Sequence, residues 1–216
     1  MEKDKGYGPG QPAHHFSEIE QQTEAVKLGM WIFLLTEILL FGGLFTAYSV
    51  FRAWNPDMFI NAHKFLNVML GTLNTVILIS SSVTVVLAIR SMQLGRREKT
   101  IFFLVATLIL AAVFLVVKYF EYSHKFHLGQ LPGKYYTFTG VEGTNPHIFF
   151  SIYFSMTGLH GLHVLAGMIA IGWMLVRTVR RNFSSEYYAP LEATGLYWHL
   201  VDMIWIYLFP LLYLIG

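Results

Sequence analysis

Two histidines three residues apart, His160 and His163 in "GLHGLHVLAG" at 158–167, lie inside a long apolar run. Imidazole nitrogens ligate metals and haem, and they titrate near neutral pH. Their placement therefore raises three chemistries: a metal centre, a bis-histidine haem and proton exchange. Three more ionisable groups share this apolar setting. Glu37 stands mid-run in "WIFLLTEILLFGG", and His199 and Asp202 stand in "EATGLYWHLVDMIW". An ionised carboxylate at the centre of a bilayer costs at least about 2.5 kcal/mol. Each of these groups must therefore face protein or a water-filled cleft.

A haem held by two histidines needs both rings at one depth on facing helices. At the helical rise of 1.5 Å per residue, His163 lies roughly 21 Å from the end marked by Arg177. His199 lies roughly 10 Å from the end marked by Glu192, and Glu37 and Asp202 each lie roughly 15 Å deep. The mismatch of about 10 Å speaks against a haem between His163 and His199. A zinc site would need Asp202 as a third ligand. A buried hydrogen-bond layer of Glu37, His160, His163, His199 and Asp202 is the better reading. Glu37 has no charged neighbour within a turn. It is read either as a proton-exchanging or lipid-headgroup contact, or as a protonated packing residue. Glu192, Gly195, His199, Asp202 and Ile206 repeat at 3-4-3-4 spacing and share one helix face. That face puts His199 beside Asp202, within hydrogen-bonding reach, between Trp198 and Trp205.

The elements that must position these groups are membrane helices. Of the 216 residues, 55% are hydrophobic and 13% charged, against about 25% charged in a soluble domain. The expected class is an all-α, polytopic integral membrane protein with a bundle of five transmembrane helices. Five apolar segments reach the roughly 20 residues needed to span a bilayer: about 27–51, 67–90, 100–124, 147–177 and 192–214. They form one domain over 26–216, preceded by a polar tail over 1–25 that lacks the apolar centre of a signal peptide. The link over 125–146, rich in glycine, proline and aromatics, reads as an ordered interfacial loop. There is no cysteine, which excludes disulfides, iron–sulfur clusters and thiolate metal sites. A net charge of +2 gives no footprint for nucleic acid. The tail and the even-numbered links hold ten lysines and arginines against five on the other side, so the N-terminus is expected in the cytoplasm.

Other polar residues read as packing. Asn67, Gly71, Asn74, Leu78 and Ser81 form a small, polar stripe suited to close helix contact. Gly158 and Gly161 suggest a second small face. Glu121 and Lys125 form an i, i+4 pair, and Lys118 is expected to snorkel to the interface. His14 and His15 in the tail are open to two readings, proton collection or simple solvation.

Taken together, "LTEILLFGGLFTAY", "LNTVILISSSVTV", "KYFEYSHKF", "TGLHGLHVLAGM" and "YWHLVDMIWIYLFPLLYLIG" resemble subunit III of the haem–copper oxidases, the cytochrome c oxidase type. The resemblance implies an accessory subunit of an aerobic terminal oxidase in a bacterial inner (plasma) membrane. It implies no redox cofactor on this chain, since haem and copper belong to subunits I and II. It implies packing against subunit I, a bound phospholipid and support for proton uptake by the catalytic subunit. Glu37 falls on the family's intramembrane glutamate, His160 and His163 on its paired structural histidines, and Arg177 on an arginine near lipid phosphate. Glu37, Arg177 and Trp198 are the lipid-contact candidates. Many members have seven helices, so a small partner subunit would have to supply the wall of the lipid cleft that two missing helices otherwise form. Other readings stay open: subunit III of a quinol oxidase, an accessory subunit of a nitric oxide reductase, a b-type cytochrome, or a small ion transporter using Glu37 and Asp202.

Overall fold

The structure, a computed structural model, describes residues 19–141, 145–180 and 188–214. His14 and His15 lie outside the described residues. The helices are α1 (Ile19–Trp54), α2 (Pro56–His63), α3 (Val68–Gln93), α4 (Arg97–His127), α5 (His147–Val179) and α6 (Ala189–Phe209). All but α2 are long and apolar enough to cross a membrane. This is the expected all-α bundle, with no strand among the described residues.

Element boundaries differ from the apolar limits for local reasons. α1 starts eight residues before 27 because "IEQQTEAV" is made of good helix formers, with Glu20 favourably placed in the first turn. α2 arises inside a link that reads as polar. Pro56 takes an early helical position where its missing N–H costs nothing, and Met58, Phe59 and Ala62 turn inward. Asn67 belongs to a cap: its side-chain oxygen accepts from the N–H of Leu70 at 3.1 Å. The ends of α3 and α4 close alike. Gly95 (φ 69) and Gly129 (φ 73) adopt the left-handed conformation. The next N–H then reaches back to the last turn, Arg96 to the Ser91 carbonyl at 2.8 Å and Gln130 to the Lys125 carbonyl at 3.0 Å. Pro210 cannot continue the α ladder, and residues Pro210–Leu214 widen into a π turn.

α3 and α4 form the tightest pair, joined by the Thr84 and Thr107 hydroxyls at 2.8 Å. α6 packs on α3 and α5, α5 on α4, and α1 on α6 and α5. The stripe on α3 does face α6. A Cβ on Gly71 would meet Phe209 at 2.8 Å, and Ser81 accepts the Trp198 indole N–H at 3.1 Å. Gly195 answers from α6, where a Cβ would meet Ile89 at 2.5 Å. The Gly158/Gly161 face does not make close contact; it lines an open groove between α4 and α5. The glycine that brings α5 onto α6 is Gly167, whose Cβ would meet the buried Trp198 ring at 2.7 Å. Gly167→Val is therefore expected to cost about 1–3 kcal/mol by overpacking. Gly161→Ala, with nothing within 4 Å of its Cβ, is expected to be neutral. Thermal unfolding of the detergent-solubilised chain checks both; equal melting temperatures would refute the packing assignment.

Candidate functional site

Glu37 finds its partner on another helix. Nε2 of His163, from α5, lies 2.8 Å from Oε2 of Glu37, and both side chains are about 15% exposed (15% and 14%). The second ring nitrogen decides the tautomer. Nδ1 of His163 is 2.8 Å from the Leu159 carbonyl, which can only accept, so Nδ1 carries a proton and donates. One proton is then shared between Nε2 and the carboxyl. The pair is neutral overall whether it is written as imidazole and carboxylic acid or as imidazolium and carboxylate. That neutrality is how a carboxyl group can stand at this depth. Phe41 packs its ring at 5.1 Å from that of His163, and Tyr197 donates to the His163 carbonyl at 3.2 Å. Phe41 holds the ring against α1, and the pair keeps a small exposed fraction.

The other expected members of the polar layer go elsewhere. His160 does not share a ligand with His163. It points into the core, fully buried, with Phe114 at 5.6 Å and Trp205 at 5.2 Å from its ring. His199 does not pair with Asp202, because its Nδ1 sits 2.6 Å from the Ser82 hydroxyl of α3. The same Ser82 hydroxyl lies beside the Asp202 carboxyl and so stands between the two α6 side chains. Of the five, the structure joins only Glu37 and His163 directly, while His199 and Asp202 meet through Ser82. Among the described residues no three His, Asp or Glu side chains converge as a metal site would require.

Of the lipid-contact candidates, Trp198 is corrected by its burial. It is fully enclosed between α3 and α5 and has no surface to offer a lipid. Arg177 is half-buried in the last turn of α5. Its neighbour Arg97 closes the same helix end: Nε donates to the Thr178 carbonyl at 2.8 Å, and a second guanidinium N–H donates to the Val179 carbonyl. Carbonyls at a helix C-terminus lack intrahelical partners and carry partial negative charge, so a guanidinium suits them.

A charged cluster at the other end differs from the sequence expectation. Lys118 does not snorkel; it is 8% exposed and bonds Glu121 at 2.8 Å, displacing the expected Glu121–Lys125 pair. Lys118 also donates to the Tyr213 hydroxyl at 2.8 Å. Tyr213 and Tyr153 each donate to Glu121, at 2.6 and 2.9 Å. Lys118 lies 4.5 Å over the Trp205 ring, and buried Lys125 lies 5.0 Å over the Tyr153 ring. The π turn after Pro210 is what carries Tyr213 inward. The spacing of Lys118 and Glu121 could have signalled an i, i+3 pair, but nothing local announced the two tyrosines.

Comparison with known proteins gives this arrangement its context. The family model described as cytochrome c oxidase subunit III matches residues 12–216. Cytochrome c oxidase subunit 3 of Salmo salar is 30% identical over 94% of this chain and 73% of its own length. The probable quinol oxidase subunit 3 of Staphylococcus aureus (strain USA300) is 30% identical over 94% of this chain and 97% of its own length. The heme-copper oxidase subunit I+III of Aeropyrum pernix is 29% identical over 89% of this chain, which spans 23% of that longer protein. With a match across nearly its whole length, the chain belongs to the cytochrome c oxidase subunit III family.

Proposed function

We propose that this chain is the accessory, cofactor-free subunit III of a haem–copper terminal oxidase in a bacterial plasma membrane, with its N-terminus in the cytoplasm. The observation that carries the reading is the family match over residues 12–216. Its role is to stabilise the catalytic subunit, hold phospholipid and support proton uptake. Haem and copper stay in subunits I and II. The broad apolar exterior, with Leu28, Trp31, Leu39, Ile169 and Trp173 all more than half exposed, offers surface for lipid and for partner helices, including those of a small partner subunit. Glu37 and Arg177 are the proposed lipid-facing polar groups.

A quinol donor is the second reading. It is favoured by the near-equal length of the Staphylococcus relative, 97% covered. Oxygen uptake by the purified complex, with reduced cytochrome c or with a quinol as sole donor, separates the two.

The reading is tested on a tagged, mildly solubilised preparation. A reduced-minus-oxidised spectrum is expected to show haem bands that co-purify and vanish once the partner subunits are stripped away. Haem retained by the isolated chain would overturn the assignment.

A further inference from the structure

The outer face of α6 lies open between its neighbours. α3 meets α6 along Gly195, Trp198 and Asp202, and α1 meets it along Tyr197 and Ile204. His199, Met203 and Ile206 follow one another at helical spacing and share the strip in between. Met203 and Ile206 are about half exposed. So are Ile38 on the α1 flank and Ile79 and Val86, which bracket Ser82 on the α3 flank. The strip is a valley with apolar walls and one polar group on its floor, half-buried His199.

The protons on that floor run in one direction. Asp202 is buried, and the Ser82 hydroxyl is its polar neighbour among the described residues. No described cation pairs with it, so it takes the neutral form, because an ionised carboxyl at this depth is costly. Its O–H donates to the Ser82 oxygen, since native structures leave donors unsatisfied more rarely than acceptors. The Ser82 hydroxyl then gives its single proton to Nδ1 of His199, 2.6 Å away. With Nδ1 accepting, the neutral ring carries its proton on Nε2. That nitrogen has no partner among the described residues and, unlike those of His160, is not enclosed. It stands roughly 10 Å below the end marked by Glu192, where acyl chains offer no acceptor and an unmet donor is costly.

We infer that this valley seats a transmembrane helix of a partner subunit, which presents an acceptor side chain, a hydroxyl, amide oxygen or carboxylate, to Nε2 of His199. The inference rests on the reading of the chain as an oxidase subunit and adds the face and the contact. Hydrogen bonds between side chains of neighbouring helices are one of the forces that hold membrane helices together. The apolar walls supply the packing around it. Gly42, in the groove that α1 forms with Met203, has nothing within 4 Å of its Cβ position and leaves room for close approach. Asp202 and Ser82 act as positioning residues, since together they fix which nitrogen of His199 donates.

The test places a photo-crosslinking benzoylphenylalanine at position 203 of the tagged chain, assembled in its own membrane. Illumination is expected to join the chain to the haem-bearing subunit, at a helix that carries a polar side chain close to the crosslinked residue. Products with lipid or with a second copy of this chain alone, in a preparation that keeps its haem, would overturn the docking face and leave the subunit reading in place. Absence of haem from the whole preparation would overturn both. A second measurement follows the haem retained by the tagged chain through detergent washes. His199→Phe is expected to lower it about three- to tenfold, the size of one hydrogen bond between membrane helices. His199→Gln, whose amide can donate in place of Nε2, is expected to keep it. Equal retention by the wild-type chain and His199→Phe would overturn the contact.

Discussion

Glu121→Leu is expected to destabilise the chain by about 3–5 kcal/mol, the cost of removing one partner from a buried ion pair. The carboxylate accepts from Lys118 and from the hydroxyls of Tyr153 and Tyr213, and it also acts electrostatically on Lys125. Without it, two buried ammonium groups face each other across aromatic rings, and two phenols lose their acceptor. Lys118→Met is expected to be milder, since Glu121 would keep both tyrosine donors and the nearby Lys125. The double variant, Lys118→Met with Glu121→Leu, should be more stable than Glu121→Leu alone, because the charge left stranded is removed with its partner. Tryptophan fluorescence during thermal unfolding reads this directly, with Trp205 lying 4.5 Å beneath the Lys118 amine. Additive losses in the double variant would show that the two charges act independently and would refute the cluster's cooperative role.

This cluster also marks where sequence reasoning stops. Apolar length places the five spanning helices, because a backbone at membrane depth must satisfy its own hydrogen bonds. Period 3.6 places Gly71, Leu78 and Ser81 on one face, and that face does meet α6. Both are local properties, readable along a single segment. The partner of a polar side chain is not local. Lys118 near a helix end has two low-cost solutions, reaching out to the interface or in to a carboxylate. The inward one wins here because Tyr213, 95 residues away, arrives over a π turn to share the load. His160 and His163 show the same limit. Three residues on a helix rotate a side chain by some 60°, enough to send one ring into the core and the other to α1. Gly158 and Gly161 promised close packing by residue type, yet close approach needs a facing helix, and only Gly167, nine residues after Gly158, meets one. The Glu37 partner was reachable only through depth, and helix tilt blurs depth by about one turn. α2 was hidden because eight residues carry too little periodicity to outweigh the turn signals of Asn55, Pro56 and Asp57.

Glu37→Ala is expected to leave the haem spectrum of the assembled oxidase unchanged while shortening its working lifetime under continuous turnover. The structural ground is the position of α1. Its spanning window is the least buried of the five, 11% against 28–50% for the others. Its polar contacts with the rest of the bundle include Glu37 to His163 at 2.8 Å in mid-helix and the Tyr48 hydroxyl to the Leu211 carbonyl at 2.7 Å nearer its end. Removing the carboxyl leaves Nε2 of His163 without its partner and loosens the first half of α1. A double-mutant cycle of Glu37→Ala and His163→Phe is expected to return a coupling of about 1.5–3 kcal/mol, as for a hydrogen bond that carries charge. The same loosening should raise amide hydrogen exchange in the first half of α1, with the segment around Tyr48 kept protected. The functional link we propose is the shared proton, since a partly exposed one-proton pair can exchange with a lipid headgroup or with water. Glu37→Gln separates that role from packing. The amide can keep a hydrogen bond to the ring and hold α1 in place, but it carries no exchangeable acid. If Glu37→Gln retains wild-type exchange protection yet loses lifetime as Glu37→Ala does, the proton matters. If it restores lifetime along with protection, the pair is a clasp for α1 and nothing more. Unchanged lifetime and bound lipid in Glu37→Ala would remove Glu37 from the function altogether.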